Sequence, residues 1–529
     1  MSPADAAPTA EKLAKQIEDY LAEHSSAALI EDGRVAFDMT RARYQVSEQH
    51  GRCLLQVWSE ERNLVRSVLE TQPRAGCLRL MTRKMGAAKP QALELVPTGD
   101  HRTPTAHAAA RKSYLRLLER VLARNFPGDK VDGMRSAMDL EHSFGPAYAR
   151  GRLLRGTAAE AVIGVGEAES STMVEGVVTL GILWLEYCRE RETRRHFGGL
   201  KVVVPTGRGR VVAERLAWLN HAAANFELYA LDERREELER IEIRDQGNVE
   251  SRLVHVFQPG PALERCRAGV DRLMELVPAP ARARVEVRAR SAAEVGLLLH
   301  GLEFARVRHG SAAHSFAREN EVSFGAGANE TPLTEENEGL CRALLERLFR
   351  SRRPDGLGTE ALYRMQPERW MEARLRARLT DLMPGLRGDL FYTQVPALTT
   401  GERGMLDLLT LDHNRRLTVV ELKADDDLHL PMQALDYWMR VKMLNQDRAE
   451  KDGRRLGAFE RMGYFAGEDV SPKPPRLVLG APALRIHPST ETVLKYFSPE
   501  IEWELVGFGE GWREEMKVVL RRRGGSPRN

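Results

Sequence analysis

The sequence predicts a multidomain α/β protein, and three observations carry that prediction. The chain has 529 residues, which at roughly 100–200 residues per domain means three or four domains. It is 42% hydrophobic and 29% charged, the balance of a chain that buries ordinary cores in water. Short β-branched runs alternate with longer runs of helical periodicity, the order that builds sheets covered by helices.

Composition excludes several classes. Lys+Arg minus Asp+Glu is 79 − 76 = +3, so the chain is no bulk polycation, although a local basic groove stays open. Aromatic residues are only 6%, too few for an extended platform of stacked single-stranded bases. Cys53, Cys77, Cys188, Cys266 and Cys341 are scattered without a CxxC pair, which reads as buried thiols in a reducing compartment. The N-terminus lacks the apolar core of a signal peptide. The most apolar stretch, Met173–Cys188, is short for a membrane span and carries Glu175 and Glu186. The expectation is a cytoplasmic protein with no membrane partner.

The elements follow in order. Residues 1–30 are small and polar and are expected to be disordered. Residues 31–100 form a small β-rich module from the runs RVAFDM, RCLLQVWS, CLRLMTRK and ALELVPTG. In residues 105–240 a helix, Arg111–Phe126, stops at Pro127-Gly128. A strand (161–169), a helix (173–191), a strand (200–207), a helical WLNHAAAN and a strand FELYALDE come next. The charged stretch ERREELERIEIRDQ marks a boundary or a solvated helix. Residues 255–330 read as a small α/β connecting module: strand RVEVRAR, helix SAAEVGLLLHGLEFARV and strand NEVSFGAG. Ser291 and Glu294 supply a capping box for that helix. A final domain spans 335–520, beginning with the helix LCRALLERLFRSR, and a basic tail, 521–529, is expected to be disordered.

The strongest chemical signal is GMLDLLTLDHNRRLTVVELKADDD (404–427). LDLLTLD and LTVVELK are strand-like and HNRR is a turn, so the pair reads as a hairpin. Asp407 lies on the first strand; Glu421 and Lys423, two residues apart on the second, share one face. Two carboxylates and a lysine on a Val/Leu hairpin are costly unless they bind something. A hard divalent cation suits the carboxylates, and the ammonium can orient a water or stabilise developing charge. The bland alternative is a surface hairpin with solvated charges, the reading also given to Asp425, Asp426 and Asp427. Helix PERWMEARLRARL (367–379) carries Glu372 upstream, and helix LPMQALDYWMRVKML carries Gln433 just downstream.

Helix with Glu, strand with Asp, strand with Glu-x-Lys and helix with Gln is an order that resembles the PD-(D/E)xK nuclease superfamily. Within it, VVELKADDD…QALDYW looks most like NucS-type and other restriction-endonuclease-like domains. The likeness covers about residues 335–520 and departs at the proline, which is replaced by Leu406. It implies a C-terminal αβββαβ domain with the strand PRLVLGAPAL, the helix STETVLKYFS and the strand IEWELVGFG. It also implies that Asp407 and Glu421 hold Mg²⁺, with Mn²⁺ as a substitute, and that Lys423 positions water. Glu372 and Gln433 would be supporting members of the catalytic set.

A weak internal echo suggests a degenerate second copy at about 105–235. ARGRLLRG (149–156) sits beside ERGMLDLL, VGEAESS (165–171) beside VVELKADDD, KVVVPTGRG beside LVLGAPAL, and FELYALDE beside IEWELVGFG. Glu119 then matches Glu372, Leu154 takes the Asp407 position, Glu167 the Glu421 position and Glu169 the Lys423 position. Such a copy lacks the catalytic set, although Glu167 and Glu169 on one face retain a cation as an option.

No P-loop, HExxH or GxSxG motif is present. Arg350, Arg352 and Arg353 are candidates for phosphate contacts near the cleft. The functional expectation is a Mg²⁺-dependent DNA endonuclease in DNA repair or defence. The alternative is a catalytically silent nucleic-acid-binding or scaffolding protein on the same fold. A hydrolase of small phosphoesters is a weaker third reading. Strandedness of the substrate and oligomeric state are not fixed by the sequence.

Overall fold

A computed structural model describes residues 9–525 except 25–26, 32–33, 40–41, 50–51, 59–62, 75–76, 85–89, 98–103, 140–141, 245–250, 254–255, 258, 312–317, 327–330, 400–401 and 452. It is a mixed α/β protein with several sheets. The chain divides into two compact units: Met1–Ala213 with Ala224–Ile243, and Glu214–Ala223 with Arg244–Asn529.

Within the expected disordered stretch 1–30, helix α1 (Ala10–Glu23) forms instead; residues 1–8 lie outside the described residues. Leu13, Ile17 and Leu21 recur at helical spacing and are buried, each contributing about 1.5–3 kcal/mol, and Thr9 caps the helix start. They pack on a seven-stranded antiparallel sheet of β1 (Ala27–Glu31), β2 (Arg34–Asp38), β3 (Arg43–Gln49), β4 (Arg52–Trp58), β5 (Asn63–Arg74), β6 (Cys77–Lys84) and β7 (Gln91–Pro97).

The same unit continues with α2 (Pro104–Asn125), β8 (Lys130–Arg135), β9 (Tyr148–Arg155), β10 (Ala158–Val165) and α3 (Ser171–Arg191). It closes with β11 (His196–Pro205), α4 (Arg210–Ala217, of which Glu214 onward falls in the second unit), β12 (Asn225–Asp232) and β13 (Glu237–Ile241). These six strands lie in the order β13-β12-β11-β10-β9-β8, with β10, β11 and β12 parallel and the outer pairs antiparallel. Tyr114, Leu118 and Val121 of α2 pack on Leu153, Val162 and Val203 of the sheet. The charged ERREELERIEIRDQ stretch supplies the edge strand β13, where polar side chains face water, in place of a solvated helix.

The second unit contains β14 (Ser251–Leu253), α5 (Pro259–Arg265) and α6 (Arg267–Leu276), then the antiparallel sheet β15 (Val285–Ser291), β16 (Glu294–Leu299), β17 (Leu302–Ser311), β18 (Arg318–Phe324) and β19 (Thr331–Pro332). The expected helix over 291–307 is the β16–β17 hairpin. Leu299 pairs with Leu302, and the intervening His300 and Gly301 both take positive φ, 45° and 76°. Such a two-residue turn matches the strand twist and overrides the Ser291 cap signal. Helix α7 (Glu338–Ser351) buries Cys341, Leu345 and Leu348 in the core of this sheet. It therefore belongs to the module expected to end at 330, not to the last domain.

That last domain runs through α8 (Ala361–Arg364), α9 (Pro367–Ala377), α10 (Leu379–Leu382), β20 (Leu386–Thr399), β21 (Glu402–Asp412), β22 (Leu417–Leu422) and α11 (Leu430–Gln446). A small hairpin, β23 (Ala449–Lys451) and β24 (Arg454–Leu456), and α12 (Ala458–Arg461) precede β25 (Arg476–Pro482), α13 (Thr490–Lys495), β26 (Trp503–Phe508) and β27 (Val518–Gly524). The sheet order is β14-β20-β21-β22-β25-β26-β27, with β22, β25 and β26 parallel. Strand β27 takes Arg521–Arg523 out of the expected disordered tail, and Arg521 and Arg523 pair with Glu504; residues 526–529 lie outside the described residues. Leaving β14 aside, this sheet repeats the order and directions of β8–β13.

Candidate functional site

The hairpin forms as expected: β21 and β22 pair antiparallel around a turn at His413–Arg416. Their register sets Asp407 opposite Glu421, and the register of β20 with β21 sets Gln394 opposite Asp407. One row across three strands therefore reads Gln394, Asp407, Glu421. Gln394 holds a left-handed backbone, φ 56°, and is buried.

The row is tied to helix α9. Gln394 Nε2 donates to Asp407 Oδ1 at 3.3 Å and to Glu372 Oε2 at 3.4 Å. Arg369 Nη1 lies 3.2 Å from Glu372 Oε2, and its other amino group donates to the Gln394 side-chain oxygen. From β15, Arg288 Nη1 donates to Glu372 Oε1 at 3.2 Å and also to Thr393. Burial raises the Glu372 carboxyl above the usual carboxylate range, against the pull of Arg288 and Arg369.

Glu421 is 2% exposed, and its Oε2 has no hydrogen-bond partner. Burial pushes its carboxyl well above the usual range, and the neighbouring Asp407 carboxylate and its hydrogen bond push further the same way. Lys423 Nζ lies 3.8 Å from Glu421 and 3.5 Å from Asp427. Asp427 is therefore part of the lysine's surroundings and not a merely solvated residue, and it also accepts from the His429 amide at 2.8 Å. Gln433 sits in the first turn of α11 with a buried, unpartnered Oε1. One turn on, the Tyr437 hydroxyl is raised by burial and then by the charges of Glu421 and Asp407.

The structure thus brings Asp407, Glu421, Lys423 and Glu372 together and puts Gln433 on the helix face shared with Tyr437. Sequence reasoning missed Gln394, Arg288, Arg369 and Asp427. No local signal marks Gln394, since the same strand also carries Arg387, Asp389 and Thr393.

Among the described residues no group of three or more His, Cys, Asp or Glu is arranged to hold a metal ion. Two carboxylates suffice for Mg²⁺, which keeps several waters and takes further oxygens from a substrate. A partnerless Glu421 oxygen beside Asp407 is the donor chemistry that such an ion needs.

The three arginines do not form a basic path. Arg352 is fully buried and donates to the carbonyls of Leu299 (3.1 Å), Leu362 (2.9 Å), Met365 (2.6 Å) and His300 (2.9 Å), with its guanidinium over the Trp370 ring. A guanidinium fixed in that way carries no phosphate contact. Arg353 is exposed and paired with Asp355, and Arg350 is exposed at the last turn of α7.

The upstream echo also needs correction. Glu421 pairs with Leu479, three residues before Pro482; in the first unit Ile163 pairs with Val202, three residues before Pro205. Ile163 pairs with Arg150, and Arg150 with Arg135. The row Gln394, Asp407, Glu421 is therefore matched by Arg135, Arg150, Ile163, and Lys423 by Val165. The sequence pairing to Leu154, Glu167 and Glu169 had slipped by four residues. An even slip keeps every side chain on its own face, so apolar alternation could not detect it. Glu119 is exposed, unlike Glu372. Glu169 is bonded by Arg111 through Nε at 2.6 Å and Nη2 at 3.2 Å, so its charge is already met and the cation option with Glu167 lapses.

Compared with models of known protein families and with curated proteins, the chain matches none. Among the described residues, no helix is long and apolar enough to cross a membrane.

Proposed function

We propose that the second unit is a Mg²⁺-dependent nuclease of the PD-(D/E)xK type that hydrolyses DNA phosphodiester bonds, and that the first unit carries a degenerate copy of the same restriction-endonuclease-like fold. The observation that carries the reading is the adjacent Asp407–Glu421 pair, Glu421 buried with a partnerless oxygen and Lys423 beside it. Burying the Glu421 carboxylate beside a second, half-buried one is costly even with Lys423 3.8 Å away, so the arrangement makes sense as a binding site. The shared strand order of the two sheets supports the copy.

Asp407, Glu421 and the Leu422 carbonyl would hold the ion, with Mn²⁺ as a substitute. When bound, it supplies charge that acidifies a water and offsets charge building on the phosphate. The chain's own groups do the rest. Lys423 orients the attacking water and shields the carboxylates from each other. Gln394 fixes the Asp407 carboxylate by donating to it, and Glu372 fixes Gln394 while held by Arg288 and Arg369. Gln433 offers its buried amide oxygen at the edge of the same site.

The test is cleavage of plasmid, linear duplex and flapped DNA by the full chain in Mg²⁺, Mn²⁺ or EDTA. Metal-dependent cutting, lowered roughly a thousandfold or more by Asp407→Ala and by Lys423→Ala, is expected. Wild-type protein that binds DNA but never cuts, with variants binding equally, would transfer the assignment to a silent nucleic-acid-binding or scaffolding protein.

A further inference from the structure

In the second unit a half-open cavity of about 340 Å³ lies at the end of the sheet away from Lys423. Strand β25 pairs Leu479 with Glu421, and Arg476, on the cavity wall, stands three residues earlier, about 10 Å down the strand. Met383, Leu386 and Val478 give the cavity a buried apolar floor, and the exposed Gly385 lies at its rim. Its charged groups are Arg476, Arg521, Arg523 and Glu504. Arg521 donates to Glu504 and to the Leu382 carbonyl, and Arg523 Nη2 donates to Glu504 at 3.4 Å. Arg476 is different. Its nearest carboxylate oxygens stand off at 3.6 Å (Glu504), 3.9 Å (Asp412) and 3.9 Å (Glu502), and none of its N–H groups reaches a hydrogen-bond acceptor among the described residues. A Cβ placed on Gly385 would meet only the Arg476 Nη1, 3.8 Å away, so the guanidinium borders the open rim. The neighbouring carboxylates are committed elsewhere: Asp412 accepts from the Asn414 and Arg416 amides at 2.8 and 2.9 Å, and Glu502 pairs with Arg416 at 2.5 Å.

The sheet of the first unit shows the same place with its charges closed. Glu504 pairs with Val478, four residues before Pro482, and Glu227 pairs with Lys201, four residues before Pro205. Glu227 therefore takes the position of Glu504, and by the edge pairings Arg240 takes that of Arg521. A cavity of about 450 Å³ lies there too. Lys201 bonds Glu227 and lies 2.8 Å from Glu160, Arg240 lies 3.4 Å from Glu227, and Arg155 lies 2.6 Å from Asp129. Three cations meet three carboxylates, each within hydrogen-bond distance. In the second unit three guanidinium groups on the cavity wall meet one carboxylate, and Arg476, where the first copy has Gly199, keeps its donors unspent. A guanidinium fork suits paired phosphate oxygens, and a phosphate monoester carries about −1.5 to −2 near pH 7, the charge this wall leaves unmatched. A recessed, half-open site admits a small molecule or a chain end, whereas an internal diester, with chain on both sides, stays at the rim.

We infer that this cavity binds a phosphate monoester group, its oxygens on Arg476, Arg521 and Arg523 and the rest of the molecule against Met383, Leu386 and Val478. A free phosphate-bearing molecule and a phosphorylated DNA end offer the same group, and only the second source rests on the DNA reading above. The site lies at the opposite end of the strands from Glu421 and Lys423, so it anchors or regulates and takes no part in hydrolysis.

The experiment is calorimetric titration of the full chain in EDTA, which keeps metal-bound phosphate and cleavage out of the readout. The probes are inorganic phosphate, adenosine 5′-monophosphate against adenosine, and a DNA hairpin with a 5′-phosphate against the same hairpin with a 5′-hydroxyl. In at least one pair the phosphorylated member is expected to bind roughly tenfold or more tightly. Arg476→Gln, which breaks no hydrogen bond, is expected to weaken that preference roughly tenfold. Gly385→Glu, which sets a carboxylate at the rim where a side chain has room, is expected to abolish it. Binding of inorganic phosphate or a preference in the adenosine pair assigns the site to a free ligand, and a preference in the hairpin pair alone assigns it to a DNA end. No preference in either pair together with no binding of inorganic phosphate, or a preference unchanged in either variant, would overturn the inference. A chain that cuts DNA yet shows no phosphate preference loses this site alone, and one that shows the preference yet never cuts loses the nuclease alone.

Discussion

The sheet of β8–β13 and the sheet of β20–β22 with β25–β27 run their strands in the same order and the same directions, yet one row of side chains separates them. Where the second sheet holds Gln394, Asp407 and Glu421, the first holds Arg135, Arg150 and Ile163. Both rows bury charge, by different means. Arg150 lies with its guanidinium 4.2 Å from the Phe144 ring centre and 5.8 Å from that of Trp184, and bonds the Ala137 carbonyl at 2.5 Å. Asp407 and Glu421 adjoin each other, with Lys423 3.8 Å from Glu421 and the arginines Arg288 and Arg369 reaching the pair at one remove through Glu372 and Gln394. A sheet of this order tolerates either sign at that row, because its strands are held by Val and Leu contacts that do not involve it. Chemistry can therefore be lost or kept at a few positions without disturbing the fold.

The largest expected effect would come from converting one row toward the other. Asp407→Arg should lower metal-dependent cleavage by roughly a thousandfold or more, while Glu167→Ala in the first unit should leave it within about twofold. Loss of cleavage in Glu167→Ala would place chemistry in the first copy and break the comparison.

Next comes the contrast between a buried and an exposed arginine of one predicted cluster. Arg352→Met removes the donor to the carbonyls of Leu299, His300, Leu362 and Met365 and should cost about 3 kcal/mol or more in urea unfolding, against about 0.5 kcal/mol or less for Arg350→Ala. Equal, small losses would return Arg352 to the surface and to the phosphate-binding role first expected of it.

The smallest effect is a pH slope. Burial lowers His300 to about 4, with Arg352, Arg374 and Arg284 pushing the same way, and its Nε2 has no partner. The unfolded imidazole titrates near 6.5, so folding holds fewer protons than the unfolded chain between those values. The stability His300 contributes is present above about 6.5 and is lost as pH falls toward about 4. Urea midpoints across that range should drop, and the drop should shrink in His300→Asn, which tolerates the left-handed turn. An unchanged slope would assign the acid sensitivity to other groups.

Much of the candidate site was legible because it is local. Asp407, Glu421 and Lys423 lie within one hairpin, and strand alternation with an obvious turn was enough to align them. Glu372 and Gln433 were reached because each sits on the helix next to that hairpin. Gln394, Arg288 and Arg369 were not legible, since nothing short of strand register and the packing of α9 and β15 brings them to Asp407. Arg352 was misread for a related reason: a run of arginines at a helix end looks the same whether it meets solvent or a ring of carbonyls.

The sequence by itself determined the alternation of strands and helices, the turn at His413–Arg416 and the placing of two carboxylates and a lysine on one face, because side-chain period and turn chemistry act over a few residues. Tertiary structure alone decided the rest. It turned 291–311 into a hairpin, since Val295, Leu297, Leu299, Leu302 and Phe304 satisfy either period until a sheet is there to receive them. It moved α7 into the core of another module and set the strand register of the first sheet four residues from where the letters align. Contacts between distant segments made each of those choices, and no local pattern encodes them.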